Sequence, residues 1–149
     1  GTRLFPMIPH AYPFSYLICQ LRREYTSALQ TRLDAFGLTV GLFPYLIYLE
    51  HIGACTPSAM ARELHQDNGH ITRCLDKLEK LGCLIRTRSA QDGRAFTVSL
   101  TEKGEQICRE ITIANRQWEQ RTLACLSPDQ TKQVTALLSQ VVQGLRSEK

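Results

Sequence analysis

Apolar residues recur every three or four positions through most of the chain, which predicts a mainly helical protein. The first such stretch begins at Phe14 and ends near Gly37. A second, shorter stretch follows Thr39, a residue type that favours the N-cap position of a helix. Pro44 lies early in this second helix, where its missing amide hydrogen costs least, and it is placed to delay the helix start.

Two further helices are marked by residues that favour helix starts. In the third, Thr56 is the predicted N-cap and Pro57 takes the first helical position. In the fourth, Asp67 caps a segment from Asn68 to Leu81, and Gly82 ends it in a left-handed conformation. The apolar stripe of this fourth helix faces the predicted core and consists of Ile71, Leu75, Leu78 and Leu81.

The spacing of apolar residues changes after Gly82. The segments LIRTRS and AFTVSL flank the polar turn AQDG, and together they predict a β-hairpin. Thr101 then caps a long helix, and Ser127 with Gln130 forms a capping box that starts the last helix. The predicted order is therefore four helices, a hairpin and two more helices.

Two short helices joined by a tight turn and followed by a hairpin form a winged helix-turn-helix. The second helix of such a pair presents its N-terminal half to base edges in the major groove of DNA. Asn68 and Arg73 suit base edges, Thr72 suits a thymine methyl group or a phosphate, and Gly69 leaves room for close approach. An ordinary solvated helix has a similar polar face, so this pattern alone is nonspecific. The predicted DNA-facing residues of this helix are Asn68, Gly69, His70, Thr72, Arg73 and Lys77.

The composition is that of a globular chain that can bind an acidic partner. The 149 residues carry a formal net charge of +4, which permits nucleic acid as a partner without requiring it. No apolar run reaches the roughly 18–20 residues that a membrane span needs, and no targeting segment is recognisable. We therefore expect a cytoplasmic protein with no membrane partner. The six cysteines include no CxxC pair and predict reduced thiols, most of them small core residues.

The hairpin carries a specific signature. Asp92-Gly-Arg94 lies at its turn, VSLTEKG follows, and LDKLEKLGCLIR precedes it. Together with GLTVGLFPYLIYLEH in the second helix, these segments resemble the multiple-antibiotic-resistance-regulator (MarR) family of transcriptional regulators. The resemblance extends from about Phe14 to Leu145.

This resemblance implies one MarR-type domain over residues 1–149. Dimerisation helices would span about 14–36 and 102–147, and a winged helix-turn-helix lobe about 39–101. The fold class is then mainly α with a small β-hairpin wing. The broad apolar faces of the terminal helices favour the same homodimer, because a monomer would leave them in water. Such a dimer binds an inverted-repeat operator in double-stranded DNA.

The resemblance also implies roles for charged residues in the hairpin. Arg94 would enter the minor groove, where narrowing concentrates negative potential, and Asp92 would orient Arg94 or close the turn. Arg86 and Arg88, on the incoming strand, are either phosphate contacts or exposed strand-edge charges.

Members of this family respond to small aromatic ligands, to oxidants or, in a few cases, to zinc. A small aromatic effector would bind in the crevice between the dimer helices and the DNA-binding lobe. For most of these side chains taken individually, ordinary core packing is the favoured explanation. The candidate effector residues are Tyr16, Gln20, Arg23, Phe43, Ile47 and His51.

The sequence contains one candidate for an oxidant-sensing thiol and no recognisable metal site. Ser15 stands where the family's peroxide sensors have their reactive cysteine, so that thiol does not carry over. Cys19 lies one turn later, near the positive charges of Arg22 and Arg23, and is the redox candidate. The four histidines have no metal-binding spacing, so neither a metal nor another cofactor is predicted.

No enzyme is predicted, because the chain has no Gly-rich phosphate loop, nucleophile elbow or recognisable carboxylate pair. Two alternatives stay open beside an effector-released DNA-binding regulator. One is a thiol-based oxidant-sensing regulator, and the other is a winged-helix module for protein interaction or dimerisation. Repression is favoured over activation, because a compact dimer on a promoter blocks polymerase without further contacts.

Overall fold

The computed structural model describes residues 12–88, 93 and 95–147. Its strands are β1 (Ala54–Cys55), β2 (Leu84–Arg88) and β3 (Phe96–Leu100). No helix in this part of the chain is both long and apolar enough to cross a membrane. The predicted mainly helical fold with a small β-hairpin wing is confirmed. The helices are α1 (Phe14–Leu33), α2 (Phe43–Ile52), α3 (Pro57–Glu63), α4 (Asn68–Lys80), α5 (Glu102–Thr122) and α6 (Pro128–Ser147), with a 3₁₀ turn at Asp34–Phe36.

Most of the predicted helix ends are confirmed by their capping hydrogen bonds. Thr56 Oγ1 accepts from the Ala59 amide at 3.1 Å, and Gly82 is left-handed with φ +76°. Ser127 and Gln130 form the expected reciprocal capping box, with bonds of 2.9 and 3.1 Å. These ends follow from local sequence, because each cap lies within three residues of the amide that it binds.

The start of α2 differs from the prediction. Its N-cap is Leu42, which makes no side-chain capping bond, and Pro44 lies in the first turn. Thr39 instead opens a turn in which its carbonyl accepts from the Leu42 amide at 3.0 Å. The predicted Thr39 cap is therefore wrong: Pro44 has no amide hydrogen, and it is best tolerated in the first turn, so the helix starts beside it.

The hairpin is part of a three-stranded antiparallel sheet with the order β1-β3-β2. Val98, in the middle of β3, pairs with Cys55 on one side and Arg86 on the other. Strand β1 is not predictable from the sequence, because two residues are too few to show an alternating pattern. This short strand pairs only with Val98 and Ser99, so among the described strands none lies beside the outer half of β3 opposite β2.

The chain forms two compact units, one through Ala114 and one from Asn115. In the first unit, helices α2 to α5 and the sheet enclose an apolar core, and α1 adds only its last turns, through Leu29 and Leu33. The N-terminal part of α1 leaves apolar side chains such as Leu17 exposed. The largest fully buried side chains outside α1 include Leu46, Leu49, Met60, Ile71, Leu75, Leu78, Ile107 and Ile111.

The second unit contains the end of α5 and all of α6. None of the described α6 residues is buried. Its exposed apolar side chains share one stretch of the helix and are Leu137, Val141, Val142 and Leu145.

The prediction that most of the cysteines are core residues is confirmed, because four of the six lie in the core or pack against it. Cys74, Cys83 and Cys108 are buried, and Cys55 is half-buried. Cys19 and Cys125 are exposed. All six are free thiols, as expected.

Candidate nucleic-acid interface

Helices α3 and α4 form the helix-turn-helix, and its turn is fixed by hydrogen bonds at both ends. The Gln66 amide donates to the Ala61 carbonyl at 2.9 Å, and His65 is left-handed with φ +53°. Asp67 Oδ2 then accepts from the His70 amide at 3.0 Å and caps α4. The cap leaves the first turn of α4 exposed to solvent, as a helix that enters a DNA groove requires.

Helix α4 separates a buried face from an exposed one. Ile71, Leu75 and Leu78 are fully buried, and Cys74 joins them on the apolar face. Thr72 Oγ1 donates to the Asn68 carbonyl at 2.9 Å, so its proton is used within the helix while its methyl group and lone pairs stay available. All six residues predicted to face DNA lie on the exposed side of α4: Asn68, Gly69, His70, Thr72, Arg73 and Lys77.

The structure gives a second reason for a glycine at position 69, besides the predicted close approach to DNA. A Cβ at this position would stand 3.0 Å from Asp67 Oδ2 and 3.3 Å from Arg73 Nη1. A larger side chain would therefore press on the capping carboxylate and on a candidate base-contacting guanidinium. Gly69 leaves room for both.

His70 is held from behind by a small cluster. Its Nε2 lies 3.6 Å from Cys74 Sγ, and its ring meets the Tyr45 ring edge-on at 6.3 Å. The Tyr45 hydroxyl donates to Gln66 Oε1 at 2.6 Å. Burial, followed by the neighbouring Cys74, raises the pKa of Tyr45, so it stays a neutral hydrogen-bond donor at physiological pH. Tyr45 and Gln66 are not evident as partners from the sequence, because they come from another helix and from the turn.

In the wing, the two arginines of β2 are already engaged within the protein. The Arg86 guanidinium forms an ion pair through Nη2 with Asp76 Oδ1, and its Nε lies 3.3 Å from Glu79 Oε2. That Nε is not aligned for a hydrogen bond, so the contact with Glu79 is electrostatic. Arg88 Nη1 donates to the Gly93 carbonyl at 2.6 Å. Asp92 and Arg94, the residues predicted at the hairpin turn, lie outside the described residues.

The candidate effector residues lie on two helices and differ in burial. Tyr16 and Gln20 are half-buried on α1, whereas Phe43 and Ile47 pack against the core from α2. His51 is exposed near the end of α2. The effector site therefore stays a prediction.

A groove of about 890 Å³ runs along α1 and the segment that leads into α2. Arg23 lines it, but the other five candidate effector residues do not. Cys19, Arg22 and Gln30 also line this groove. Gln30 connects α1 to the segment that leads into α2. Its side chain donates a hydrogen bond to the Leu38 carbonyl at 2.9 Å and accepts one from the Val40 amide at 3.0 Å. The exposed redox candidate is therefore in a groove with two guanidinium-bearing side chains.

Sequence comparison relates the winged lobe to known regulators. The MarR family model matches residues 38–96. The HTH-type transcriptional regulator BilQ of Clostridioides difficile (strain CD3) is 31% identical over 105 residues, which are 70% of this chain and 71% of BilQ.

Comparison of folds extends the similarity to most of the chain. The reduced form of MarR from E. coli is 26% identical with a TM-score of 0.76, over 89% of this chain and 98% of that one. A MepR mutant from S. aureus, bound to an oligodeoxyribonucleotide, is 24% identical with a TM-score of 0.64, over 90% of this chain and 99% of that one. The fold is the winged-helix fold of these proteins.

Proposed function

Because the chain belongs to the MarR family of transcriptional regulators, we propose that it is a sequence-specific regulator that binds an inverted-repeat operator as a homodimer. The observation that carries this proposal is the exposed face of α4, which projects Asn68 and Arg73 from a helix whose opposite face is fully buried. A helix anchored in this way holds its base-reading side chains at fixed positions. The S. aureus MepR mutant, a protein of the same fold, has been solved with a bound oligonucleotide.

The homodimer is supported by apolar surface on the terminal helices. Leu137 and Leu145 on α6 are 62% and 61% exposed, and Phe14 on α1 is 57% exposed. A second copy of the chain would bury such side chains, and two-fold pairing is the commonest closed arrangement. Two recognition helices in a dimer read half-sites about one DNA turn, ~34–36 Å, apart.

We further propose that the dimer is a cytoplasmic repressor that is released by a small aromatic effector. Repression requires only that the dimer occupies a promoter. Release requires only that the effector binds the DNA-incompetent arrangement more tightly than the competent one. Tyr16, Gln20 and Arg23 on α1, with Phe43, Ile47 and His51 on α2, remain the candidate effector contacts.

Selection of bound sequences from random duplex DNA tests the proposal. An inverted repeat with half-sites one helical turn apart is the expected outcome, and fluorescence anisotropy then gives the affinity. We expect Arg94→Ala to weaken binding by about tenfold or more, because a minor-groove guanidinium is lost. Arg109→Gln removes the same charge from the exposed side of α5 and is the matched control. Failure of the wild-type protein to prefer any sequence over nonspecific duplex would contradict the proposal.

A second candidate function is oxidant sensing through Cys19. The observation that favours it is the position of this exposed thiol in the α1 groove with Arg22 and Arg23. The sulfur of an accessible cysteine attacks the peroxide oxygen of an organic hydroperoxide, which forms a sulfenic acid and releases an alcohol.

Operator affinity with and without an organic hydroperoxide separates the two candidates. An oxidant sensor loses affinity on treatment, recovers it with a thiol reductant, and becomes insensitive as Cys19→Ser. Cys125→Ser, which removes the other exposed thiol, is the matched control. Oxidant release that persists in Cys19→Ser clears this residue of the role.

A further inference from the structure

Arg86 joins three elements of the DNA-binding lobe. It lies on β2, its guanidinium carbon is 4.7 Å from the centroid of the Phe96 ring on β3, and it forms an ion pair with Asp76 on α4. Its Nε also lies 3.3 Å from Glu79, one helical turn after Asp76. These are the only ion pairs between α4 and the hairpin among the described residues.

These contacts use properties that are specific to arginine. A guanidinium is planar, so one face lies over an aromatic ring while its edge presents nitrogens to two carboxylates. A lysine ammonium is a single point of charge and cannot satisfy all three partners at once. The Arg86 side chain is only 27% exposed, which shields these interactions from solvent more than an open surface pair.

The outer half of the hairpin needs an attachment of this kind. Strand β1 supports β3 only at Val98 and Ser99, near the base of the hairpin. Beyond them, the pairs Thr87–Thr97 and Arg88–Phe96 belong to a two-stranded ribbon, which is marginally stable in water by itself. The contacts of Arg86 with Phe96 and α4 fasten this ribbon to the recognition helix.

Arg86 also neutralises negative charge on α4. Asp76 and Glu79 lie on the same helix as Arg73 and Lys77, the residues proposed to contact DNA. Without a positive partner, the two carboxylates would repel approaching phosphates.

We propose that Arg86 is a positioning residue for DNA binding, which locks the wing to the recognition helix so that both elements meet their grooves in one fixed geometry. This inference rests on the proposed function. It replaces the sequence-based hypothesis of a direct phosphate contact, because the guanidinium is committed to Asp76, Glu79 and Phe96. Arg88 then connects β2 to the hairpin turn, through its hydrogen bond to the Gly93 carbonyl.

Two footprints on the selected operator test this inference. Hydroxyl radicals report on the minor groove that flanks each half-site, and dimethyl sulfate reports on guanine N7 in the major groove. For Arg86→Gln we expect about tenfold weaker binding and, at saturating protein, loss of flanking minor-groove protection with major-groove protection retained. Arg86→Lys should lose the same flanking protection, whereas Arg109→Gln should match the wild type.

A triple variant separates positioning from charge. In Asp76→Asn/Glu79→Gln/Arg86→Gln the unpaired carboxylates are gone, so part of the affinity should return while the flanking protection stays lost. Full return of that protection would overturn the inference, since charge compensation alone would then explain Arg86. An unchanged footprint in Arg86→Gln would also overturn it. A fall of about one in the salt slope per subunit with the footprint intact would instead identify a phosphate contact.

Hydrogen exchange in the protein without DNA separates failure of this inference from failure of the proposed function. We expect faster exchange in the 84–100 segment of Arg86→Gln and Arg86→Lys than in the wild type, with α2 unchanged. Equal exchange rates would overturn the lock even if DNA binding were confirmed. Should the wild type bind no duplex, the proposed function fails, while altered exchange still identifies the lock. If Arg86→Gln does not fold, Arg86→Lys decides both measurements.

Discussion

Gly104 lies so close to the backbone of Cys83 that a Cβ at Gly104 would stand 2.2 Å from the Cys83 carbonyl oxygen. Gly104 is in the first turn of α5, and Cys83 lies between α4 and β2. The Thr101 amide donates to the same carbonyl at 3.1 Å, and Lys103 Nζ donates to the Leu81 carbonyl at 2.6 Å. The start of α5 is therefore fastened to the end of the recognition helix.

We expect Gly104→Ala to destabilise the fold by about 1–3 kcal/mol, because the added methyl group must displace backbone. The expected sign is opposite to helix propensity, which favours alanine by about 1 kcal/mol. Gly144→Ala on α6 is the matched control, since nothing lies within 4 Å of its Cβ position. Urea unfolding followed by circular dichroism measures both variants, and equal stabilisation of the two would show that the close approach relaxes without cost.

We expect different residues of the recognition helix α4 to read bases and to contact phosphates. Arg73 and Lys77 are both exposed on α4 and make no ion pair with another described residue. We expect Arg73→Ala to cost about 1–3 kcal/mol on the operator and little on nonspecific duplex, because base contacts discriminate sequence. Lys77→Ala should weaken both duplexes alike and lower the salt slope by about one per subunit.

Anisotropy titrations of both duplexes at several salt concentrations measure these effects. Arg109→Gln controls for a general change in net charge. The assignment of roles is wrong if Arg73→Ala weakens both duplexes equally, or if Lys77→Ala leaves the salt slope at its wild-type value.

The parts of the fold that sequence predicts well are those fixed by nearby residues. Thr56 and Asp67 cap helices through amides only three positions away, so the sequence already contains both partners. The Asp76–Arg86 pair spans ten positions and forms only because the hairpin folds back against α4. The sequence therefore places Arg86 on the correct strand without showing its partners within the protein. Helical periodicity likewise marks Phe43 and Ile47 as apolar-face residues without showing which element covers them.

We expect the exposed cysteines to react with a thiol reagent faster than the buried ones. Cys19 and Cys125 are exposed, whereas Cys83 and Cys108 are buried with raised pKa values caused first by that burial. At pH 8 we expect Ellman's reagent to modify two of the six thiols promptly and the others only on unfolding. Cys19→Ser and Cys125→Ser should each remove one prompt thiol. Prompt reaction of Cys108 would show that the core opens in the folded state.

Alkaline pH should destabilise the protein partly through Cys108. Burial, followed by the negative charge of Glu50, raises the pKa of the Cys108 thiol from 9.0 to about 12. The folded state prefers the protonated thiol. The contribution of this preference to the free energy of unfolding is therefore complete below pH 9 and is lost as pH rises from 9 towards 12. One such group lowers the free energy of unfolding by at most about 1.4 kcal/mol per pH unit in that range.

Urea unfolding at pH 7, 9 and 10.5 measures this decline. Burial also raises the pKa of Tyr45, which adds to the loss at the upper end of the range. Cys108→Ala should be less stable at pH 7, because it leaves a cavity, and should show a shallower alkaline decline than the wild type. Parallel declines in the two proteins would mean that the buried thiol does not titrate in this range.

The proposed dimer makes the exposed apolar side chains of α6 essential for operator binding. Leu137 and Leu145 would lie in the interface, so Leu137→Glu/Leu145→Glu should shift the protein to monomers in sedimentation velocity. A monomer binds its half-sites independently and loses the gain from linking them, so operator affinity should fall by about a hundredfold or more. Gln140→Glu/Gln143→Glu adds the same two negative charges at exposed polar positions of α6 and is the matched control. A double variant that stays dimeric would place the interface elsewhere, and a monomer that keeps full operator affinity would show that each chain reads its site alone.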